Sequence, residues 1–322
     1  MSLKSFIRKS FFGIDLPQEY LCVGKEDVQH PLSVLAADFP QSSSFDISEQ
    51  HLFLGYKPLI IGIPAQKNSS LHSMLSSSKS IRLLFCKQES ATDLVAFLKL
   101  QFSQQKDFDE QVLFIFIAEK GKHFFLSPLQ QFMNRVKDIA TRKSENNISL
   151  NGNLYDQVRI AYSFPRVISI VSLGDGTNFN MFPTDLNGSI GDHHYVISLR
   201  HEGMANEQVE AFKKICISTV SSSFYKEVYG LGRNHMQDTR HLDSFEIDDA
   251  RSDQLNLPLP SQVLSYRELE LTDALDIGIH RLHFFRIISQ KVFRTQSTLA
   301  HLHRYYATWE RKQGHAIRYL IR

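Results

Sequence analysis

The sequence predicts an α+β protein: a smaller mixed α/β module over residues 1–150, a β-rich barrel over 151–296, and a C-terminal amphipathic helix and tail over 297–322. Three observations predict it. The 322 residues are 42% hydrophobic, enough for one or two cores, and at roughly 150 residues per domain the length fits two. Between residues 166 and 293, apolar β-branched runs follow one another with long polar loops and little helix, a pattern that favours a barrel over a doubly wound parallel sheet. Leu299, Leu302, Tyr306 and Trp309 then recur on one helical face, with Gly314 as a stop.

In the first part, HLFLGYKPLIIGIP (51–64) reads as strand, glycine turn and strand. The serine-rich stretch 69–80 reads as a flexible connection. Ser90 and Asp93 have capping-box spacing ahead of Leu94, Phe97, Leu98 and Phe102, which predicts an amphipathic helix. Val112–Ala118 is a buried strand, 119–122 its turn, and 123–126 a returning strand. Ser127 and Pro128 suit an N-cap and first helical position, with Leu129, Phe132, Met133, Val136, Ile139 and Ala140 as the buried face. Polar residues 141–147 close the unit.

In the second part, Arg166–Leu173 is a strand ending in the turn Gly174–Thr177. A loop with Asn178, Asn180, Pro183, Thr184 and Asn187 leads to a strand at Tyr195–Leu199. A short helix (205–214), a strand (Ile215–Val220), a polar loop (221–260) and strands at 268–271 and 279–293 complete it.

Composition excludes several functions. Lys plus Arg (36) nearly balance Asp plus Glu (34), and a net charge of +2 is no footprint for a polyanion partner, so no nucleic acid is expected. The longest apolar run, Val112–Ala118, is far short of the roughly 20 residues that cross a bilayer, so no membrane partner is expected. Three scattered cysteines without CxxC spacing, and no secretory leader, place the chain in the cytoplasm. The histidine pairs His193-His194, His280/His283 and His301/His303 present no two ligands on one face, so no metal site is predicted. Gly230-x-Gly232 lacks the third glycine of a dinucleotide fingerprint. The acidic stretch Asp238–Asp253 reads as a solvated loop, and no GxSxG elbow occurs.

Residues 162–293 resemble, in order and spacing, the flavin reductase-like family of FMN-binding split barrels. YSFPRVISIVSLGDGTNFNMFPTDLNGS (162–189) is similar to the family's opening, HYVISLR (194–200) to its next strand, and ANEQVEAFKKICIS (205–218) to the following helix and strand. HLDSF (241–245) stands where the family often has Asp-Lys-Phe. LNLPLP (255–260) leads to RELELTDALDIGIHRLHFFRIISQKV (267–292), similar to the closing hairpin with its Gly-x-His element at Gly278 and His280. The chain departs from the pattern at Pro183, where Thr is usual, and at Ser218 and Ser244.

The resemblance implies an FMN-binding oxidoreductase that passes hydride from NADH or NADPH to flavin, working as a homodimer. It implies a slot walled by Met181, Phe182 and Pro183, polar contacts from Asn180, Thr184, Ser218 and Thr219, and Arg200 as the phosphate's cation. His280 is then the catalytic candidate, orienting a nicotinamide or assisting a proton; as a plain strand histidine it would only brace a loop. A flavin carrier without turnover, and an interaction scaffold that has lost flavin, are the alternative functions.

Overall fold

Antiparallel pairing organises the chain. A computed structural model describes residues 12–13, 16, 18–38, 43–87, 93–140, 150, 152–245, 250–293, 296–315 and 317–320. Ser90, residues 141–147 and part of the acidic stretch, 246–249, lie outside the described residues, as do the side chains of Ile139 and Ala140.

Strands β1 (Tyr20–Gly24), β2 (Ser33–Asp38), β3 (Ser44–Asp46), β4 (Leu52–Tyr56) and β5 (Leu59–Gln66) precede helix α1 (Ser70–Ser77). Strands β6 (Ser80–Cys86), β7 (Leu94–Asp107) and β8 (Gln111–His123) and helices α2 (Pro128–Ala140) and α3 (Asn153–Ala161) follow. The strand–turn–strand reading of 51–64 holds, with the turn at Lys57-Pro58 and Gly55 inside β4. Three expectations are corrected. The serine-rich stretch is helical because Ser69 accepts the His72 N–H as an N-cap and Met74 and Leu75 bury one face. Residues 94–102 form strand, not helix: the stripe is the start of a 14-residue strand buried on both faces before it alternates. Residues 119–122 are no turn, since β8 runs unbroken to His123. Helix α2 starts at Pro128 behind Ser127 as expected, yet Leu129, Phe132 and Val136 of its supposed buried face are exposed.

In the second half come β9 (Arg166–Val167), β10 (Ser169–Gly174), β11 (Asn178–Thr184), β12 (Asn187–Ile190), β13 (His194–Arg200), α4 (Met204–Phe212) and β14 (Lys214–Val220). After them come α5 (Tyr225–Leu231), β15 (Arg240–His241), β16 (Val263–Ile277), β17 (His280–Val292), β18 (Leu299–His303) and α6 (Arg304–Lys312). The expected loop 178–187 is mostly strand, because Asp175 Oδ1 accepts from the N–H groups of Thr177 and Asn178 and folds β11 back on β10. The expected loop 221–260 contains α5. Leu299 and Leu302 lie on a strand, and the C-terminal helix begins only at Arg304.

The pairings build a seven-stranded sheet, β3-β2-β6-β7-β8-β5-β4, and an eight-stranded sheet, β12-β13-β17-β16-β14-β10-β11-β15. Both are open antiparallel sheets: β3 and β4 edge the first, β12 and β15 the second, and the strand pairings close neither into a barrel, so they do not confirm the split barrel expected for residues 151–296. A third, β1-β18-β9, draws the C-terminal strand between the leads of the two halves.

The two large sheets follow one path. Apart from the added edge strand β15, β11-β10-β14-β16-β17-β13-β12 repeats the first order strand for strand, and α1 and α4 occupy the same place, between the fourth and fifth strands of each sheet in chain order. The registers repeat too. The β7–β8 ladder slips between Lys99 and Leu100 and between Phe102 and Gln104; the β16–β17 ladder slips between Glu268 and Leu269 and between Leu271 and Asp273. Both pairs of slips fall at the offset that carries Gln111 to His280. β-Bulges mark positions rather than accumulate at random, so this shared pair identifies two copies of one unit.

Between the copies, Leu52, Leu54, Ile60, Leu113 and Ile115 of the first pack on Ile190, Val196, Ile277, Leu282 and Phe284 of the second. Helices α3 and α6 bury Ile160, Tyr305 and Tyr306 in the core of the first sheet. Among the described residues no helix is long and apolar enough to cross a membrane.

Candidate functional site

A cleft of about 250 Å³ opens where β11, β13 and β17 meet the first copy. Its walls are built in turn. The tight Asp175 turn sets β11 so that Pro183 and Thr184 reach the cleft, followed by Asp185 and Leu186. β13 brings Ser198, Leu199 and Arg200 beside them, and its register sets Arg200 opposite His280. The start of α4 adds Gly203 and Ala205, and a 3₁₀ turn at Gly232–Met236 adds Gly232, His235 and Met236. Tyr56, from β4 of the first copy, closes the remaining side.

His280 is fully buried and held at both nitrogens. The Tyr56 backbone N–H donates to Nε2 (3.4 Å), which places the proton on Nδ1, donating to Ser198 Oγ (3.2 Å). The Tyr56 ring meets the imidazole edge-on, at 4.6 Å and 84°. Burial, with the charges of Arg200 and His201, pulls its pKa down to about 4, so the ring is neutral at pH 7. His235 is likewise held low by burial, and its Nε2–H donates to the Pro183 carbonyl (2.6 Å), tying the 3₁₀ turn to β11.

Arg200 sits exposed on the rim, and no carboxylate pairs with it among the described residues. Beside it, the first turn of α4 begins at Gly203 with no side-chain cap. An unpaired guanidinium next to uncapped helix N–H groups is an arrangement for an anion.

Asp185 links the cleft to the interior. Its carboxylate accepts from the Tyr162 hydroxyl (2.8 Å) and from His301 Nδ1–H (2.7 Å); His301 Nε2 meets the Tyr229 hydroxyl (2.6 Å), to which the Cys22 thiol donates (3.0 Å). Burial pushes the Asp185 carboxyl up, but the hydrogen bonds and charge of His301 and the Tyr162 hydroxyl outweigh it and hold the pKa below the usual range.

Of the residues expected from sequence, the structure thus brings Pro183, Thr184, Arg200 and His280 together in one cleft. It places the others elsewhere. Asn180 is buried, its amide donating to Gln208 Oε1 (2.7 Å) and to the carbonyl of Asn234 (3.0 Å), so that β11 is bound to α4 and the 3₁₀ turn beneath the cleft. Met181 packs among Ile168, Ile170 and Phe179, and Phe182 among Val171, Ile197 and Phe285. Ser218 is buried within β14, and Thr219 shares a hydrogen bond with Ser265 (2.7 Å). Along β11 side chains alternate, so a run of five neighbours cannot all face one ligand.

Sequence reasoning missed Tyr56, Asp185, Ser198, Gly203 and His235. Only His235 carried a signal, standing three residues after the Gly230-x-Gly232 pair. Tyr56 is invisible because nothing local links residue 56 to residue 280.

No family model matches this chain, and no curated protein matches it. Several solved structures do. The NADH:FAD oxidoreductase of Streptomyces globisporus matches at 12% identity and a TM-score of 0.42, over 49% of this chain and 94% of that one. Nitrilotriacetate monooxygenase component B from Mycobacterium thermoresistibile matches at 19% and 0.40, over 48% and 86%. An FMN-binding protein from Thermus thermophilus matches at 16% and 0.35, over 47% and 80%. The structures it resembles are flavin reductases and FMN-binding proteins. This is the family that residues 162–293 resemble in sequence. The likeness covers about half of the chain and transfers no residue roles.

Four buried histidines give the fold a pH signature. Burial, its first cause in each, lowers the pKa of His123, His280, His283 and His303 to about 4 against the ordinary 6.5. The unfolded chain therefore binds these protons first, so the stability they contribute is complete above pH 6.5 and drains away as the pH falls toward 4. Thermal melts are expected to be level between pH 7 and 8 and to drop steeply from pH 6.5 to 4; a flat profile across that lower window would contradict the assignment.

Proposed function

We propose that the cleft binds the isoalloxazine and phosphate of FMN, and that the protein is an oxidoreductase of the flavin reductase type using NADH or NADPH. One observation carries the reading: an unpaired arginine and an uncapped helix N-terminus flank a cleft with largely apolar walls, the combination that a flat ring bearing a phosphate needs. The family resemblance of residues 162–293 supports it.

The residues present fit such a group. Pro183, Leu186, Leu199 and Met236 offer apolar contact, and Ser198, Thr184 and the neutral His280 bring polar atoms to the same walls. At about 250 Å³ the cleft is somewhat smaller than the roughly 300–1,000 Å³ of ordinary ligand sites, and it opens toward Arg200, where a phosphate-bearing chain would extend.

Bound flavin supplies the hydride acceptor that no side chain here provides. The chain's own contribution is placement. Arg200 and the first turn of α4 hold the phosphate, and Tyr56 and Met236 cover the ring from water. His280 fixes Tyr56 and Ser198 through its two nitrogens, a positioning role, since both nitrogens are already engaged within the fold. The Asp185–His301–Tyr229 chain keeps a negative charge at the base of the cleft.

An absorbance titration tests the proposal. Purified protein is expected to perturb and retain added FMN and then to oxidise NADH or NADPH. Retention of FMN without nicotinamide oxidation selects the carrier alternative, and failure to retain FMN overturns the reading.

A further inference from the structure

We propose that the first copy serves as a built-in partner subunit: it walls the cleft of the second copy, while its own equivalent position has lost the anion-holding groups, so one chain works alone with one ligand site. The inference rests on the flavin reading for the ligand, and on the duplication for everything else.

The copies meet reciprocally. The turn between β16 and β17 reaches the turn between β4 and β5, where the Ile279 N–H donates to the Lys57 carbonyl (3.3 Å). The turn between β7 and β8 reaches the turn between β12 and β13, where Phe108 lies 4.7 Å from the His194 ring and Asp109 Oδ2 accepts from His194 Nε2 (3.3 Å). Two like units in reciprocal contact present two equivalent positions for a ligand between them. The one at Arg200 and His280 is incomplete without the first copy, because His280 takes both its backbone donor and its ring neighbour from Tyr56.

Register identifies the other position residue by residue. Gln66 pairs with Gln111 as Arg200 pairs with His280, so glutamines replace the cation and the imidazole. Pairing of β4 with β5 and of β12 with β13 sets Gly191 at the place of Tyr56, and a Cβ there would lie 2.8 Å from Gln111 Cγ: the glutamine side chain stands against bare backbone where Tyr56 offers a ring to His280. Helix α1, the counterpart of α4, is capped by its own Ser69, which accepts the His72 N–H (3.1 Å) that an anion would otherwise use. The segment that supplies Gly232, His235 and Met236 lies between β14 and β16; the link between β6 and β7 is far shorter. Every difference runs the same way, toward an anion site kept in the second copy and dismantled in the first.

The test combines mass in solution with ligand counting on the full-length chain. Sedimentation is expected to give the mass of one chain, and FMN is expected to saturate at one per chain. Arg200→Glu should abolish uptake, whereas Gln66→Glu, an exposed change at the equivalent place, should leave affinity and stoichiometry unaltered. A stable dimer of chains, saturation at two FMN per chain, or a loss of binding on Gln66→Glu each overturn the inference. If no FMN binds at all, the flavin reading fails, and the sedimentation result alone decides the built-in partner: one chain supports it and a dimer refutes it.

Discussion

Replacing Arg200 by alanine is expected to weaken FMN binding by roughly ten- to a hundredfold while leaving the melting temperature within a degree or two. The guanidinium stands on the rim without a carboxylate, so its removal disturbs no fold contact, and a charge-assisted hydrogen bond is worth about 1.5–3 kcal/mol. Each 1.4 kcal/mol is about tenfold in affinity. Arg200→Lys should recover part of the loss, since it keeps the charge but not the planar fork. Fluorescence titration at low and high salt checks this, the difference between parent and variant narrowing as salt screens the pair. Equal affinity for parent and Arg200→Ala would remove the phosphate from this end of the cleft.

Replacing Gly278 by valine is expected to cost about 3 kcal/mol or more of stability and to loosen the cleft at the same time. Gly278 has φ +61°, a conformation disfavoured for side chains, and a Cβ there would sit 2.4 Å from the Lys57 carbonyl oxygen. The obstructing atom is backbone, in the turn that positions Tyr56, so relief requires the copies to part. Gly230→Ala is the matched control: it lies in α5 with nothing within 4 Å of the added carbon, and should be neutral or slightly stabilising. Urea unfolding of the three proteins makes the comparison, and a Gly278→Val variant as stable as its parent would contradict the close approach of the two turns.

These expectations depend on features with unequal traces in the sequence. The β16–β17 hairpin, β13, β14, α4 and the Asp175 turn were legible because alternation, β-branched runs and a Gly-Asp-Gly turn are local signals. Residues 94–102 were not: Leu94, Phe97, Leu98 and Phe102 match a helical stripe, and only the neighbouring strands, which bury both faces of the first half of β7, decide for strand. Helix α1 hid behind serines whose propensity is poor but whose first member, Ser69, is a cap.

The duplication left almost no trace. Across the long hairpins Leu100 and Leu269, Asp107 and Asp276, Leu113 and Leu282, Phe116 and Phe285, and Lys122 and Lys291 coincide, but the intervening residues differ, and register rather than identity preserves the repeat. For the same reason the site was half legible. Arg200 and His280 stand at strand ends recognisable from order and spacing, whereas Tyr56 belongs to the other copy and becomes its neighbour only when the two sheets meet. Asn180 was read as a ligand contact because a buried asparagine and a binding asparagine look alike in sequence; its three carbonyl partners in the fold settle what its amide does.

The central claim is that an anion-bearing flavin lodges between the two copies at Arg200. A titration of the full-length chain with FMN, followed by the quenching of flavin fluorescence, tests it most directly. Saturation is expected at one equivalent per chain in the parent and not at all in Arg200→Glu; quenching that is absent from the parent, or identical in the two proteins, would place the flavin elsewhere or nowhere on this chain.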